Sequence, residues 1–223
     1  DEPSSLVEPL KSPPAPQAEP LPLLKVPYNT EHEHRYEIIN ARCMFINNYL
    51  EIGVEFGQTF FNVISTSQTG VDPDPKCVSA FIQTMTSEAF FSATSPSQKY
   101  DCIFIDGMHQ VEYVLKDINN SIAHLDEDGK IFIDDILPLT YGEQLKIPGK
   151  HYYENGILKY GEPWTGDVWK TFYYVLKKHS DCIEFEYFNH PNFRGVAEIK
   201  VIKQFKIDEG IETLREINSY DYY

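Results

Sequence analysis

Short apolar runs in this chain end repeatedly in acidic or glycine residues, and this pattern limits the possible folds. The clearest runs are residues 49–52, 101–105 and 130–134. They lack the alternation of polar and apolar side chains that a half-exposed strand shows, so we predict strands that are buried on both faces. Strands of this kind that alternate with helices are typical of an α/β fold with a parallel, doubly wound sheet.

The rest of the chain fits the same alternation. Two further strands are predicted at residues 69–72 and 80–84, and an antiparallel hairpin at residues 182–189 and 195–202. Asp128-Gly129 is predicted to form a turn before the strand at 130–134. Apolar periodicity predicts helices at residues 30–47, 58–66, 87–91, 110–124 and 168–178.

The N-terminal segment differs from the remainder in composition. Seven of the 15 prolines lie between residues 2 and 24, and this density of proline prevents helix and central strand. We interpret residues 1–26 as a proline-rich linker or tail and residues 27–223 as one domain of ordinary size. Either the linker joins the domain covalently to other domains of a longer protein, or it is a disordered terminus.

Charge and cysteine content narrow the classes of partner. The formal charge is −15 and no Lys/Arg cluster occurs, which argues against a nucleic-acid partner. The four cysteines form no C-x-x-C pair and fit reduced thiols. No apolar run is long enough to span a bilayer and no signal-peptide pattern occurs. We therefore expect a cytoplasmic protein (in the host cytoplasm if it is viral) without membrane insertion.

The sequence LEIGVEFGQT, residues 50–59, places glycines where the first strand turns. Glycine at such a turn lets a ligand approach the backbone closely. The spacing G-x-x-x-G differs from the G-x-G-x-x-G that binds a diphosphate. Glu51 and Glu55 would repel a diphosphate and suit a cationic ammonium or sulfonium. A tight turn without a ligand is the alternative interpretation.

Asp72 stands at the end of the second predicted strand. A carboxylate at this position can accept two hydrogen bonds from a ribose diol. The alternative is an Asx-turn with Pro73. Together with the glycine turn, Asp72 favours an adenosyl ligand.

Five motifs follow one another along the chain: YLEIGVEFGQT, GVDPDP, TSEAFF, YDCIFIDGMHQVEYVLKDI and GKIFIDDILP. Together they resemble the class I S-adenosylmethionine-dependent methyltransferases, over roughly residues 36–202, and within them the small O-methyltransferases associated with sugar and polysaccharide biosynthesis. The resemblance implies a Rossmann-like, seven-stranded, mostly parallel sheet whose last strand is antiparallel. It also implies a site for S-adenosylmethionine with Gly53, Gly57 and Thr59 along the methionine, Asp72 at the ribose, Thr86 and Ser87 near the adenine, and Glu51 and Asp106 in the same site.

The later motifs also resemble the metal-dependent catechol-type O-methyltransferases. The resemblance implies Asp106, Asp134 and Asp135 as metal ligands and places His109 where that branch has a catalytic lysine. Three carboxylates favour Mg²⁺ or Mn²⁺, which would lower the pKa of an acceptor hydroxyl, while His109 could take its proton. Neighbours on a strand face opposite ways, so Asp134 and Asp135 converge only where the strand has begun to turn. The alternative is that Asp135 caps a turn and no metal binds.

Three residues near the predicted helix at 168–178 are candidates for substrate binding: Trp164, Asp167 and Trp169. Aromatic faces beside a carboxylate suit a sugar, whereas the alternative is packing by a tryptophan and helix capping by Asp167. The tract of alternating charge that ends at Arg35 is interpreted as a solvated helix start. By the context of its linker and the sugar-type resemblance, and by no matched motif, the chain is also similar to the methyltransferase domains that end the multidomain glycosyltransferases of chloroviruses, which implies a terminal sugar of a capsid glycan, such as rhamnose, as the acceptor.

The sequence thus predicts an enzyme that transfers a methyl group from S-adenosylmethionine to a sugar hydroxyl, with Asp106 and His109 as catalytic residues. One alternative is a nicotinamide-dependent oxidoreductase on the same fold. Another is a non-catalytic module of a larger glycan-synthesis enzyme.

Overall fold

The computed structural model describes residues 26–149, 151–154, 156–160 and 163–221. The predicted linker therefore lies outside the described residues, except for Val26. Among the helices of the described ranges, none combines the length and the apolar character that crossing a bilayer requires.

The described chain forms a seven-stranded sheet with helices on both faces, and a separate two-stranded hairpin. The strands of the sheet are β1 (Asn48–Ile52), β2 (Ser67–Asp72), β3 (Ile82–Thr84), β4 (Tyr100–Ile105), β5 (Leu125–Ile133), β8 (Ile183–Phe188) and β9 (Val196–Val201), and the hairpin is β6 (His151–Glu154) with β7 (Ile157–Tyr160). The helices are α1 (Arg35–Arg42), α2 (Ser87–Ala93), α3 (Val111–His124), α4 (Val168–His179) and α5 (Ile211–Asn218).

The strand order is β3-β2-β1-β4-β5-β9-β8. The first five strands in that order are parallel, and β9 is antiparallel to both of its neighbours. This confirms the predicted Rossmann-like sheet with an antiparallel last strand. The order reverses between β1 and β4, and ligands of such sheets bind beyond the carboxyl ends of the strands at this reversal.

Both faces of the central strands are buried, which explains the absence of polar alternation. Leu50 and Ile103 point into a cluster with α3 and α4, whereas Tyr49 and Phe104 point into a cluster with α1. Successive side chains of a strand face opposite sides of the sheet, so two apolar layers require an unbroken apolar run.

The first predicted helix was too long at both ends. The Glu37 carboxylate accepts hydrogen bonds from the backbone N–H groups of Glu33 and His34, and α1 begins directly after them. It ends at Arg42, and Cys43 is extended. Residues 43–47 connect α1 to the start of β1 and are not helical, although their apolar pattern predicted a helix to residue 47.

The predicted helix at residues 58–66 is also wrong, because this segment forms only turns. The backbone N–H groups of Asn62 and Val63 both donate to the carbonyl of Thr59. The apolar residues of this segment nevertheless pack into the core, since Phe60 and Val63 are buried.

Three other parts of the chain differ from the expectations. The predicted turn at Asp128-Gly129 lies inside β5, where the register with β4 shifts. The hairpin β6–β7 was not predicted. Neither was α5, which buries Ile217 against the core.

Candidate active site

A cavity of about 830 Å³ lies beyond the carboxyl ends of β1, β2 and β4. Asp72 and Asp106 both line it. Of the residues predicted to bind the cofactor, Gly57 is outside the lining of this cavity. The other seven line it: Glu51, Gly53, Thr59, Asp72, Thr86, Ser87 and Asp106.

The cavity extends from one face of the sheet to the other across the strand ends. Ser87 and Tyr113, from α2 and α3, line one end. Arg35, from α1, and Thr59 line the other end. An elongated ligand with two different ends fits this arrangement.

Gly53 is required by the close approach of two loops. Its φ is +85°, and a Cβ atom at this position would lie 2.0 Å from the backbone oxygen of Asp106. The turn after β1 therefore packs directly on the turn after β4, which only glycine permits. Glu55, at φ +45°, shares the left-handed conformation in the same turn.

The Asp72 carboxylate holds this turn in place. Its Oδ2 accepts hydrogen bonds from the backbone N–H groups of Val54 (3.0 Å) and Glu55 (2.8 Å). Its Oδ1 accepts one from the N–H of Asp74 (2.7 Å). The Asx-turn considered from the sequence therefore exists, and the same carboxylate also lines the cavity. A carboxylate has about four lone-pair sites, so the three N–H donors leave room for a ligand hydroxyl.

Glu51 is a buried carboxyl at the floor of the cavity. The hydroxyl of Tyr49 donates a hydrogen bond to its Oε2 (2.6 Å). Burial raises the pKa of Glu51 well above its usual range, and the Tyr49 hydrogen bond opposes this rise. A cationic group in the cavity would favour the ionised form of Glu51.

His109 lies between two carboxylates. Its Nε2 is 3.2 Å from Asp106 Oδ1, and its Nδ1 is 3.3 Å from both Asp135 Oδ2 and the carbonyl oxygen of Trp164. Asp135 reaches His109 because the chain has left β5, as its φ of +58° shows. Ligand atoms of Asp106, His109 and Asp135 lie within 4.8 Å of one another, close enough to hold one metal ion.

The electrostatics of this group favour a positive charge. Burial lowers the pKa of His109, but the Asp106 hydrogen bond and the charge of Asp135 outweigh it and raise the value to about 9. Burial raises the pKa of Asp135 to about 6, opposed by the charge of His109. The two carboxylates thus stabilise a cation between them, whether it is a protonated imidazole or a metal ion.

Asp134, the third metal ligand expected from the resemblance, is separated from this group. Its side chain is fully buried and forms an ion pair with Arg35. Burial raises the pKa of Asp134 well above its usual range, and the charge of Arg35 opposes the rise. The charged tract suggested that Arg35 belongs to a solvated helix start. Arg35 instead lines the cavity and neutralises a buried carboxylate.

Only one of the three candidate substrate residues reaches the cavity. Trp164 lines it, with its ring centroid 5.2 Å from that of His109. Asp167 is buried, and its Oδ1 accepts a hydrogen bond from the N–H of Val111, the first residue of α3 (2.8 Å). Trp169 is buried in α4 and does not line the cavity.

The lining residues that were not singled out from the sequence include Met108, Tyr113, Lys116 and Asp117. Met108 follows the turn after β4, and the other three lie on α3, within the helix that the apolar pattern predicted. The periodicity of a helix indicates which face is apolar, but not that a polar residue near its start faces a cavity.

Residues 50–136 match the Methyltransf_24 family model, described as a methyltransferase domain. The matched segment contains both the glycine turn and the group formed by Asp106, His109 and Asp135. The family match supports the methyltransferase predicted from the sequence. A comparison with curated proteins finds no match to the chain.

Solved structures of methyltransferases share the fold at low sequence identity. Cofactor-bound Rv0187 from MTB is 12% identical, covers 82% of this chain and 85% of its own, and gives a TM-score of 0.54. The O-methyltransferase TomG from Streptomyces achromogenes, in complex with SAM, is 10% identical, with 74% and 77% covered and a TM-score of 0.50. SAH-bound PaMTH1, a methyltransferase from Podospora anserina, is 16% identical, with 74% and 76% covered and a TM-score of 0.50.

Proposed function

We propose that this chain transfers a methyl group from S-adenosylmethionine to a hydroxyl oxygen of a sugar. One observation carries the proposal: a single cavity joins the residues suited to an adenosyl ligand, Asp72 and Ser87, to Asp106 and His109, which form a group with Asp135. The family match supports the transfer of a methyl group, and the presence of SAM in the TomG structure supports the donor.

The donor fits the cavity in one direction. Its adenine would lie at the end formed by α2 and α3, its ribose at Asp72, and its methionine toward Thr59 and Arg35. A sulfonium in the middle of the cavity would meet the carboxyl groups of Glu51 and Asp106. Opposite charges in a partly buried site attract strongly, so these residues favour the cationic donor over the neutral product.

The reaction is an in-line displacement at the methyl carbon. The acceptor oxygen forms a bond to this carbon while the carbon–sulfur bond breaks, and its electron pair remains on the sulfur of S-adenosylhomocysteine. The acceptor proton must leave during this step, and His109 can take it only in its neutral form, which is the minor form at neutral pH because its pKa is raised to about 9. Asp106 and Asp135, at opposite nitrogen atoms of the ring, fix the orientation of the imidazole and stabilise its charged form.

The same carboxylates suit a divalent metal ion. Asp106 and Asp135, with His109 at its edge, could hold Mg²⁺ or Mn²⁺ together with water. A bound ion would supply Lewis-acid activation of the acceptor hydroxyl. Asp134 would contribute only if it separated from Arg35.

A sugar is the acceptor that best fits the neighbourhood of His109. The ring of Trp164 lies beside the imidazole, and an aromatic face suits the apolar face of a pyranose. The motifs that resemble sugar-modifying O-methyltransferases point to the same class, with a terminal rhamnose of a glycan as one example.

Mass spectrometry tests the proposal directly. The protein is incubated with S-adenosylmethionine and a panel of glycosides that includes rhamnosides, with and without Mn²⁺. We expect one product that is heavier by a methyl group, and we expect its loss in His109→Gln but not in His32→Gln, a histidine outside the cavity lining. Donor binding without any methylated sugar would contradict the acceptor, and would favour another hydroxyl compound or a non-catalytic module.

A further inference from the structure

Glu143 is a buried carboxylate in the segment between β5 and β6, and it does not line the cavity. Its side chain is only 3% exposed. The Nε–H group of Arg194 donates to both of its oxygens (3.2 Å each), and the N–H of Leu139 donates to Oε2 (2.6 Å). These contacts hold Glu143 in one place, because separating opposite charges in a buried site is costly.

The backbone carbonyl of Glu143 holds a second segment, residues 164–167. It accepts hydrogen bonds from the N–H groups of Thr165 and Gly166 (3.0 Å each) and from the Thr165 hydroxyl (2.9 Å). Thr165 is itself buried. The indole N–H of Trp164 donates to the carbonyl of Leu145, two residues after Glu143. The position of Glu143 therefore sets the position of residues 164–167.

Residues 164–167 pack directly on His109. A Cβ atom at Gly166, whose φ is +61°, would lie 1.7 Å from the backbone oxygen of His109, so only glycine permits this approach. The N–H of Asp167 donates to the same oxygen (3.2 Å). The carbonyl oxygen of Trp164 is 3.3 Å from Nδ1 of the imidazole, and its ring lies beside the imidazole ring. A displacement of this segment would therefore move Trp164 and disturb His109 together.

We propose that Glu143, paired with Arg194, is a positioning residue for the acceptor, because it fixes residues 164–167 and with them Trp164 and the imidazole of His109. This inference rests on the proposed function, since it requires an acceptor beside these two side chains. Glu143 itself makes no contact with the acceptor in this account.

Binding of the methyl donor should not depend on Glu143. The donors to the Asp72 carboxylate are the N–H groups of Val54, Glu55 and Asp74, which belong to the turns after β1 and β2. None of them is in residues 164–167 or in the segment of Glu143. A loss that affects the acceptor and spares the donor therefore distinguishes positioning from general damage to the fold.

Two substitutions test the positioning at different points. Glu143→Gln keeps the size of the side chain but leaves a single acceptor oxygen and adds an NH₂ group that faces the Arg194 donor. Thr165→Val keeps the shape of the side chain and removes only the hydroxyl that donates to the Glu143 carbonyl. Thr165→Ser keeps this hydroxyl and is the conservative variant that should restore the function.

Kinetics on the glycoside that the native protein methylates separates the two substrates. We expect kcat/KM for the acceptor to fall between about tenfold and a hundredfold in Glu143→Gln, since a small misplacement of a reacting group has an effect of this size. Thr165→Val should lower it in the same direction, and Thr165→Ser should recover most of the native value. The Kd of S-adenosylhomocysteine, measured by calorimetry, should be unchanged in all three variants.

Fluorine NMR of protein labelled with 5-fluorotryptophan reports the position of Trp164 independently of turnover. The chain has two tryptophans, and the signal that disappears in Trp164→Phe belongs to Trp164. We expect this signal to shift in Glu143→Gln and in Thr165→Val, and to return to its native position in Thr165→Ser.

Glu198→Gln is the matched control, because Glu198 is also a buried carboxylate with cationic partners, Lys130 (2.7 Å) and Arg42. It lies on β9 and does not line the cavity. It should keep both the native kcat/KM for the acceptor and the native Trp164 signal. Thermal unfolding shows whether each variant is folded, and the two Thr165 variants decide the matter if Glu143→Gln is not.

An unchanged Trp164 signal in Glu143→Gln and Thr165→Val would overturn the role of Glu143 and leave the proposed function intact. Equal losses for acceptor and donor, or an equal loss in Glu198→Gln, would do the same. Absence of any methylated glycoside with the native protein would instead remove the proposed function, and this inference with it.

Discussion

Arg35, the first residue of α1, forms an ion pair with Asp134, the residue that follows β5. The Asp134 side chain is fully buried, and that of Arg35 is 27% exposed. This pair ties α1 to the end of the central sheet. It also separates Asp134 from Asp135, which turns toward His109 instead.

Removal of the Arg35 charge should destabilise the protein. Arg35→Met would leave the Asp134 carboxylate buried without its cation, and we expect the free energy of unfolding in urea to fall by about 3 kcal/mol. The double variant Arg35→Met/Asp134→Asn should recover a large part of this loss. Arg215→Met is the control, since the Arg215–Glu212 pair is exposed, and its effect should stay below about 0.5 kcal/mol. Additive effects of the Arg35 and Asp134 substitutions would contradict the pairing.

Asp72 should be needed for both the glycine turn and the ligand. Asp72→Ala would leave the N–H groups of Val54 and Glu55 without their acceptor, so we expect a loss of about 1–3 kcal/mol in unfolding free energy. The affinity for S-adenosylhomocysteine should fall by about tenfold or more. Asp74→Ala is the matched control, because the Asp74 carboxylate is 83% exposed and outside the cavity lining. Equal effects of the two variants would speak against this role of Asp72.

The buried Asp117 should make stability depend on pH. Its pKa is about 7 in the folded protein, compared with an ordinary value of 3.8. Between these values the folded state binds a proton that the unfolded state does not, so the free energy of unfolding falls as pH rises from about 4 to about 7. Asp117→Asn removes this effect. The free energy of unfolding of the variant minus that of the native protein should therefore increase by roughly 2–3 kcal/mol when the pH is raised from 5 to 8. Urea unfolding at both pH values measures this change. A difference that does not change with pH would exclude the raised pKa.

The metal site should depend on two carboxylates. After treatment with a chelator, turnover should disappear and return with Mn²⁺ or Mg²⁺, and calorimetry should detect Mn²⁺ binding to the metal-free protein. Asp106→Asn and Asp135→Asn should each weaken this binding by about tenfold or more, while Asp126→Asn, an exposed residue of β5, should not. Full turnover in the presence of the chelator would show that His109 acts without a metal.

The parts of the structure that were predictable share one physical cause. A strand that is buried on both faces must be apolar throughout, so the polar residues at its end mark the edge of the sheet. Asp72 and Asp106 were found in this way, and the parallel arrangement of β1, β2 and β4 brings them to one cavity.

The parts that were missed depend on contacts between distant segments. Nothing local shows that Arg35 pairs with Asp134, 99 positions later, or that Asp167 caps α3 rather than its own helix. Residues 58–66 form turns, although the burial of Phe60 and Val63 gives them the apolar pattern of a helix. Asp117 is one of several polar residues on an amphipathic helix, and only the packing of α2 against α3 places it at the cavity.

The central claim is that the cavity between α1 and α3 binds the methyl donor, and calorimetry with S-adenosylhomocysteine tests it most directly. The account predicts saturable binding with one site per chain, and a clear loss of affinity in Asp72→Ala but not in Asp74→Ala. Absence of binding at millimolar ligand, or equal binding by both variants, would contradict it.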